Sequence, residues 1–139
     1  MDYQAFLRQL ETHTLPVADF NHQAHLYAAW AYRRLYPAGE AAVRCSRAFS
    51  RYVMAQGAIR KYHHSLTMAL LAILYSRLDA CPELTEDWDA FCQNCTDVIE
   101  DARAVVLEHY SADRLDEEAA RKAFVAPDKK PLPTACLLH

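Results

Sequence analysis

Two short segments carry the side chains best suited to chemistry. In Phe20-Asn21-His22-Gln23-Ala24-His25-Leu26 two histidines stand three residues apart, a spacing that puts both imidazoles on one face of a helix, where they can share a metal ion. In Lys61-Tyr62-His63-His64-Ser65-Leu66-Thr67, His63 is in register with Leu66 and Leu70, so its ring is expected to face a core. A buried imidazole needs a partner for each nitrogen, and metal coordination backed by a hydrogen bond supplies both. The expected centre is one divalent transition metal, zinc or iron, on His22, His25 and His63, with His64 or a water beside it. Zinc with an open position activates water, which suits a hydrolase or lyase; iron suits an oxygenase. Lys61, Tyr62, His64 and Thr67 are the candidate catalytic side chains. Arg44, Arg47 and Arg51 recur at spacings of three and four and are candidates to hold the carboxylate or phosphate of a small anionic substrate.

Each of these features has a plainer counterpart. H-x-x-H arises easily by chance, core histidines can be satisfied by ordinary hydrogen bonds, and an arginine stripe is commonly a solvated helix face. The metal reading further requires the two segments to meet. Antiparallel packing would separate the starts of their helices, whereas parallel or crossed packing would bring them together, and the spacing leaves both arrangements open.

The composition limits what can position these residues. A chain of 139 residues fits one domain. With 53% hydrophobic and 24% charged residues it can build a sizeable core, and with only two glycines it is poorly supplied for the tight turns of an all-β protein. The expected fold is all-α, a compact single-domain bundle of about five to seven helices over residues 1–125, followed by an extended proline-containing tail over 126–139. The apolar spacing predicts helices from Tyr3 to Thr12, from Asn21 to Tyr36 and from Gly39 to Ala55, the last stopped at Gly57. A fourth runs from Ile59 or Arg60 to Leu78, a short one starts at a Thr85 cap and reaches Asn94, another starts at Asp97, and a last one spans Asp116 to Phe124. The second and fourth are expected to be central.

The pattern F-x-H-x-x-H-L-x-x-A-W at Phe20 to Trp30, with K-Y-H-x-x-x-T at Lys61 to Thr67, resembles a group of small uncharacterised bacterial helical proteins. The resemblance brings no activity with it. Its relatives often carry an acidic residue directly after the K-Y-H histidine, where this chain has His64, so the resemblance leaves the fourth ligand or general base open. DinB-like bundles are similar in size and in holding a metal with three histidines from different helices, but their motif order differs, and the likeness is one of architecture only.

Two other readings belong to different classes. Seven basic residues lie between Arg33 and Lys61 against the single acid Glu40, whereas thirteen acids lie between Asp79 and Glu118 against Arg103 and Arg114. Such polarity lets the halves of one fold attract each other, or lets a metal-free helical interaction protein pair as a homodimer. Cys92-Gln93-Asn94-Cys95 offers thiol redox chemistry as in AhpD-like helical proteins. Their histidine four residues after the second cysteine is replaced here by Ile99, and the acids around Cys92 should raise its thiol pKa. An odd count of five cysteines without compact spacing suits a reducing cytoplasm. No secretory leader is visible, and the longest apolar run, Met68 to Tyr75, is too short to cross a bilayer. One arginine stripe on an acidic protein is not enough for nucleic-acid binding, and the terminal Cys136-Leu137-Leu138-His139 matches a prenylation box only formally.

Overall fold

A computed structural model describes residues 2–133, and among them it contains eight α-helices and no strand. They are α1 (Tyr3–Glu11), α2 (His22–Leu35), α3 (Ala38–Ala55), α4 (His64–Ala80), α5 (Trp88–Asn94), α6 (Thr96–Val106), α7 (Ala112–Leu115) and α8 (Glu118–Lys122). Single 3₁₀ turns occupy Val17–Asp19, Ile59–Lys61 and Pro82–Thr85. No helix is long and apolar enough to cross a membrane among the described residues.

Helix boundaries follow from local chemistry. The Asn21 carboxamide accepts from the Ala24 amide at 2.9 Å and starts α2. Helix α3 runs out at Ala55 because Gly57 adopts φ +71°, a conformation that glycine enters without a Cβ penalty. Helix α1 ends in the same left-handed geometry, but there His13 supplies it at φ 62°.

Three expected starts move. Helix α4 begins at His64 and not at Ile59 or Arg60, because residues 59–61 form a 3₁₀ turn and the His63 ring caps the helix by accepting from the Leu66 amide at 3.0 Å. Thr85 bonds back to the Pro82 carbonyl at 2.6 Å, so the cap of α5 is Asp87, which accepts from Ala90. The last predicted helix, Asp116 to Phe124, shrinks to α8 at Glu118–Lys122 because Glu117 is extended, and the single turn α7 precedes it.

Helix α4 is central: nine of its residues, from Ser65 to Leu78, are buried, and it packs against α2, α3, α6 and α8. Helix α2 packs against α1 and α3, which also touch each other. Buried tyrosines tie the layers together through their hydroxyls, Tyr52 to the Leu15 carbonyl at 2.6 Å and Tyr75 to the Ala29 carbonyl at 2.7 Å. Burying the ring contributes on the order of 2 kcal/mol, and the bonded hydroxyl avoids the cost of an unpaired polar group. Tyr3, Tyr27, Trp30 and Trp88 form an aromatic layer with neighbouring centroids 5.1–5.9 Å apart.

The segment after α8 folds back along the bundle. Ser65, fully buried, donates to the Ala123 carbonyl at 2.7 Å and accepts from the Val125 amide at 3.0 Å. The Asp128 carboxylate accepts from the Ser111 amide and hydroxyl, and His109 donates to the Pro131 carbonyl. Part of the charge asymmetry is spent inside the fold, where Arg33 pairs with Asp79 at 3.0 Å.

Candidate functional site

Helices α2, α3, α4 and α6 border a half-open cavity of about 560 Å³, a volume typical of small-molecule sites. Its walls are mainly apolar, from Leu26 and Ala29 of α2, Phe49 of α3, and Leu66, Leu70, Leu71 and Leu74 of α4, with Phe20 at the mouth of α2. The polar groups are Asn21, His22 and His25 at the start of α2, Thr67 on α4, and Glu100, Asp101 and Arg103 on α6.

The two α2 histidines are oriented by backbone carbonyls. His25 Nδ1 lies 2.6 Å from the Asn21 carbonyl oxygen. A carbonyl only accepts, so Nδ1 carries the proton and Nε2 keeps its lone pair. The ring stacks on Phe20 with centroids 4.0 Å apart and meets Phe49 edge-on at 4.9 Å. Burial lowers the pKa of His25 below its usual value; the Asn21 bond opposes this and neighbouring His22 adds to it. At neutral pH the ring is therefore an uncharged acceptor. His22 Nε2 donates to the Val98 carbonyl at 2.8 Å.

Helix α6 supplies the opposite wall through a kink. Asp101 leaves helical geometry (φ −157°, ψ 83°), and its carboxylate accepts from the Ala104 amide at 3.1 Å, capping the second half of the helix. Apolar spacing counts Val98, Ile99, Ala102, Val105 and Val106 as inward, and Glu100, Asp101 and Arg103 are exposed at the rim of the cavity. Nothing in their spacing announces the kink that turns them to the cavity.

The other predicted site residues go elsewhere. His63 does not join His22 and His25 in the cavity. Its Nδ1 accepts from the Leu66 amide and its Nε2 donates to the Leu115 carbonyl at 2.7 Å, so both nitrogens are occupied by backbone. The partners expected for a buried imidazole are present, but they belong to α4 and α7. Thr67 lines the cavity and donates to the His63 carbonyl at 2.8 Å.

Tyr62 and His64 face a second cavity with Arg47 and Arg51. Arg44 pairs with Glu40 at 2.8 Å, lies over the Tyr36 ring, and borders a third depression. Lys61 is exposed and lines neither of the first two cavities. The arginine stripe and the α2 histidines thus serve different spaces.

Among the described residues no three His, Cys, Asp or Glu side chains are grouped so as to hold a metal ion. Cys92 and Cys95 are free thiols; Cys95 is buried at the junction of α5 and α6, and burial, then Asp89, push the Cys92 thiol up. A raised pKa works against the thiolate that redox exchange needs. Cys136 lies outside the described residues. In comparisons with protein-family models, with curated proteins and with solved structures, nothing matches this chain.

Proposed function

We propose that the protein binds a small, largely apolar molecule in the cavity between α2, α3, α4 and α6, and holds the one proton-donating group of that molecule at His25. The observation that supports this reading most is the state of His25. Its Nδ1–H is committed to Asn21 and its ring is clamped between Phe20 and Phe49. Nε2 is left as a basic lone pair on the wall of a mainly apolar cavity. An acceptor oriented in advance in this way costs little to engage, because neither the ring's tautomer nor its rotamer has to be fixed on binding. The same arrangement suits a general base for a substrate bound there.

A second reading, of a metal-dependent enzyme, draws on one further feature. Both α2 imidazoles donate their second nitrogen to a backbone carbonyl, the contact that orients metal-ligating histidines. A zinc or iron ion on His22 and His25 would take its remaining ligands from water or substrate, since no third His, Cys, Asp or Glu among the described residues is grouped with them. His63 would join only by giving up the α4 cap and the Leu115 bond, at a cost of about 1 kcal/mol or more.

Titration with 2-naphthol against naphthalene, followed by ligand fluorescence, tests the first reading. The hydroxylated probe is expected to bind about tenfold more tightly, and His25→Phe to remove the difference. Equal affinity of the two probes for the wild-type protein would overturn it. Metal content of protein purified without an affinity tag decides the second: stoichiometric zinc or iron that is lost in His22→Ala/His25→Ala supports the metal site, and the same trace metal in both refutes it.

A further inference from the structure

The second cavity, of about 640 Å³, lies between α3, the 59–61 turn, the start of α4 and α8, and no carboxylate lines it. Its lining includes Arg47 and Arg51 from α3, Arg60 from the turn, and Arg121 and Lys122 from α8. Glu118 pairs with Arg121 and lies 3.8 Å from Lys122, so the α8 cations are partly neutralised. Arg47, Arg51 and Arg60 make no ion pair among the described residues. Three guanidinium groups without an ion-pair partner, from two separate elements, converge on one concave surface; Glu118 acts on Arg60 from a distance, and Arg47 and Arg51 also border the third depression with Glu11 and Glu40. Like charges repel, and a fold that places them together with no acid in the lining carries an electrostatic cost that a bound anion removes.

The same cavity holds neutral polar groups and an apolar rim. Tyr62 Oη and His64 Nδ1 are 2.7 Å apart, which fixes the imidazole and leaves Nε2 for a ligand. The Ser50 side chain also lines the space. Met54 and Ile59, 59% and 40% exposed, stand at its edge, and exposed large apolar side chains grouped beside a charged cavity mark a surface with a partner.

We infer that this cavity binds a phosphomonoester with an apolar body, its dianionic head held by Arg47, Arg51 and Arg60 and its body laid against Met54 and Ile59. Guanidinium groups bond phosphate oxygens in pairs, and a dianion satisfies several of them at once where a monoanionic carboxylate satisfies fewer. The volume admits a drug-sized molecule and not only the head group. This site is separate from the His25 cavity and independent of its function.

Isothermal titration calorimetry at low ionic strength, with phenyl phosphate, inorganic phosphate, benzoate and phenol as probes, tests the assignment. Phenyl phosphate is expected to bind most tightly, about threefold or more above inorganic phosphate, with benzoate weaker and phenol undetected. Arg47→Ala/Arg51→Ala should weaken phenyl phosphate at least about tenfold, because two charge-assisted contacts are lost. Arg44→Ala, on the same helix but already paired with Glu40, should change it less than about twofold. The four substituted side chains, Arg44, Arg47, Arg51 and Met54, are exposed, and an unchanged melting curve shows that the variants remain folded. Met54→Ser should lower affinity for phenyl phosphate and leave that for inorganic phosphate unchanged. The inference is overturned by the absence of saturable heat with phenyl phosphate at millimolar concentration, by benzoate binding as tightly, or by equal losses in Arg44→Ala and the double variant.

Discussion

Phe20 and His25 stack with ring centroids 4.0 Å apart and planes within 24° of parallel. Phe20 lies just before the Asn21 cap of α2, so one local turn sets both the ring's packing and, through the Asn21 carbonyl, its tautomer. The orientation of the proposed acceptor is a property of the α2 entry and not of any long-range ion pair.

That packing has a consequence for acid stability. Burial lowers the pKa of His25 in the folded chain, and burial followed by His63 lowers that of His64. Each group binds a proton more readily in the unfolded chain, near about pH 6.5. Its contribution to stability is therefore complete above that pH and is lost as pH falls toward the folded pKa. The melting temperature is expected to hold between pH 8 and 7 and to fall from pH 6.5 to 5, with His25 giving at most about 1.4 kcal/mol per pH unit. Scanning calorimetry on His25→Phe should show a shallower fall; an unchanged slope would refute the assignment to His25.

His63 is expected to matter to folding and not to metal content. His63→Ala removes a helix cap and strands the buried Leu115 carbonyl, a loss of about 2–3 kcal/mol. His63→Asn, which keeps a capping acceptor, should recover about 1 kcal/mol of it. Urea unfolding of both variants, with metal analysis alongside, checks this. A variant with wild-type stability and depleted metal would reverse the conclusion and restore His63 as a ligand.

Ser65→Ala should loosen the segment that follows α8. The variant leaves the Ala123 carbonyl and the Val125 amide without the hydroxyl that bridges them, costing about 1–3 kcal/mol. Hydrogen exchange at Val125 is expected to accelerate more than exchange in α2. A uniform small change over the whole chain would show that this bridge does not anchor the segment.

The four long elements were legible because their signals are local. Asn21 caps α2, Gly57 ends α3, and the apolar run of α4 has no alternative to burial in a chain of this size. The start of α4 was hidden, because it depends on which way the His63 ring turns, and that is decided by a carbonyl on α7 fifty-two residues away. For the same reason the H-x-x-H pair was readable as two histidines on one face but not as a pair without His63. Glu100 and Asp101 escaped notice because a kink brings them to the cavity, and the placing of Arg47 and Arg51 in a separate cavity follows from the packing of α3 against α4 and the 59–61 turn.

Nitrogen NMR of the histidine rings at pH 7, recorded with and without 2-naphthol, addresses the central claim most directly. His25 is expected to be protonated on Nδ1 only, and 2-naphthol to shift its Nε2 toward the hydrogen-bonded position in proportion to the fraction bound. His63 Nε2, already committed to Leu115, should not move. A His25 ring protonated on Nε2, or an Nε2 signal unchanged at saturating 2-naphthol, would contradict the proposal that this imidazole is the acceptor in the cavity.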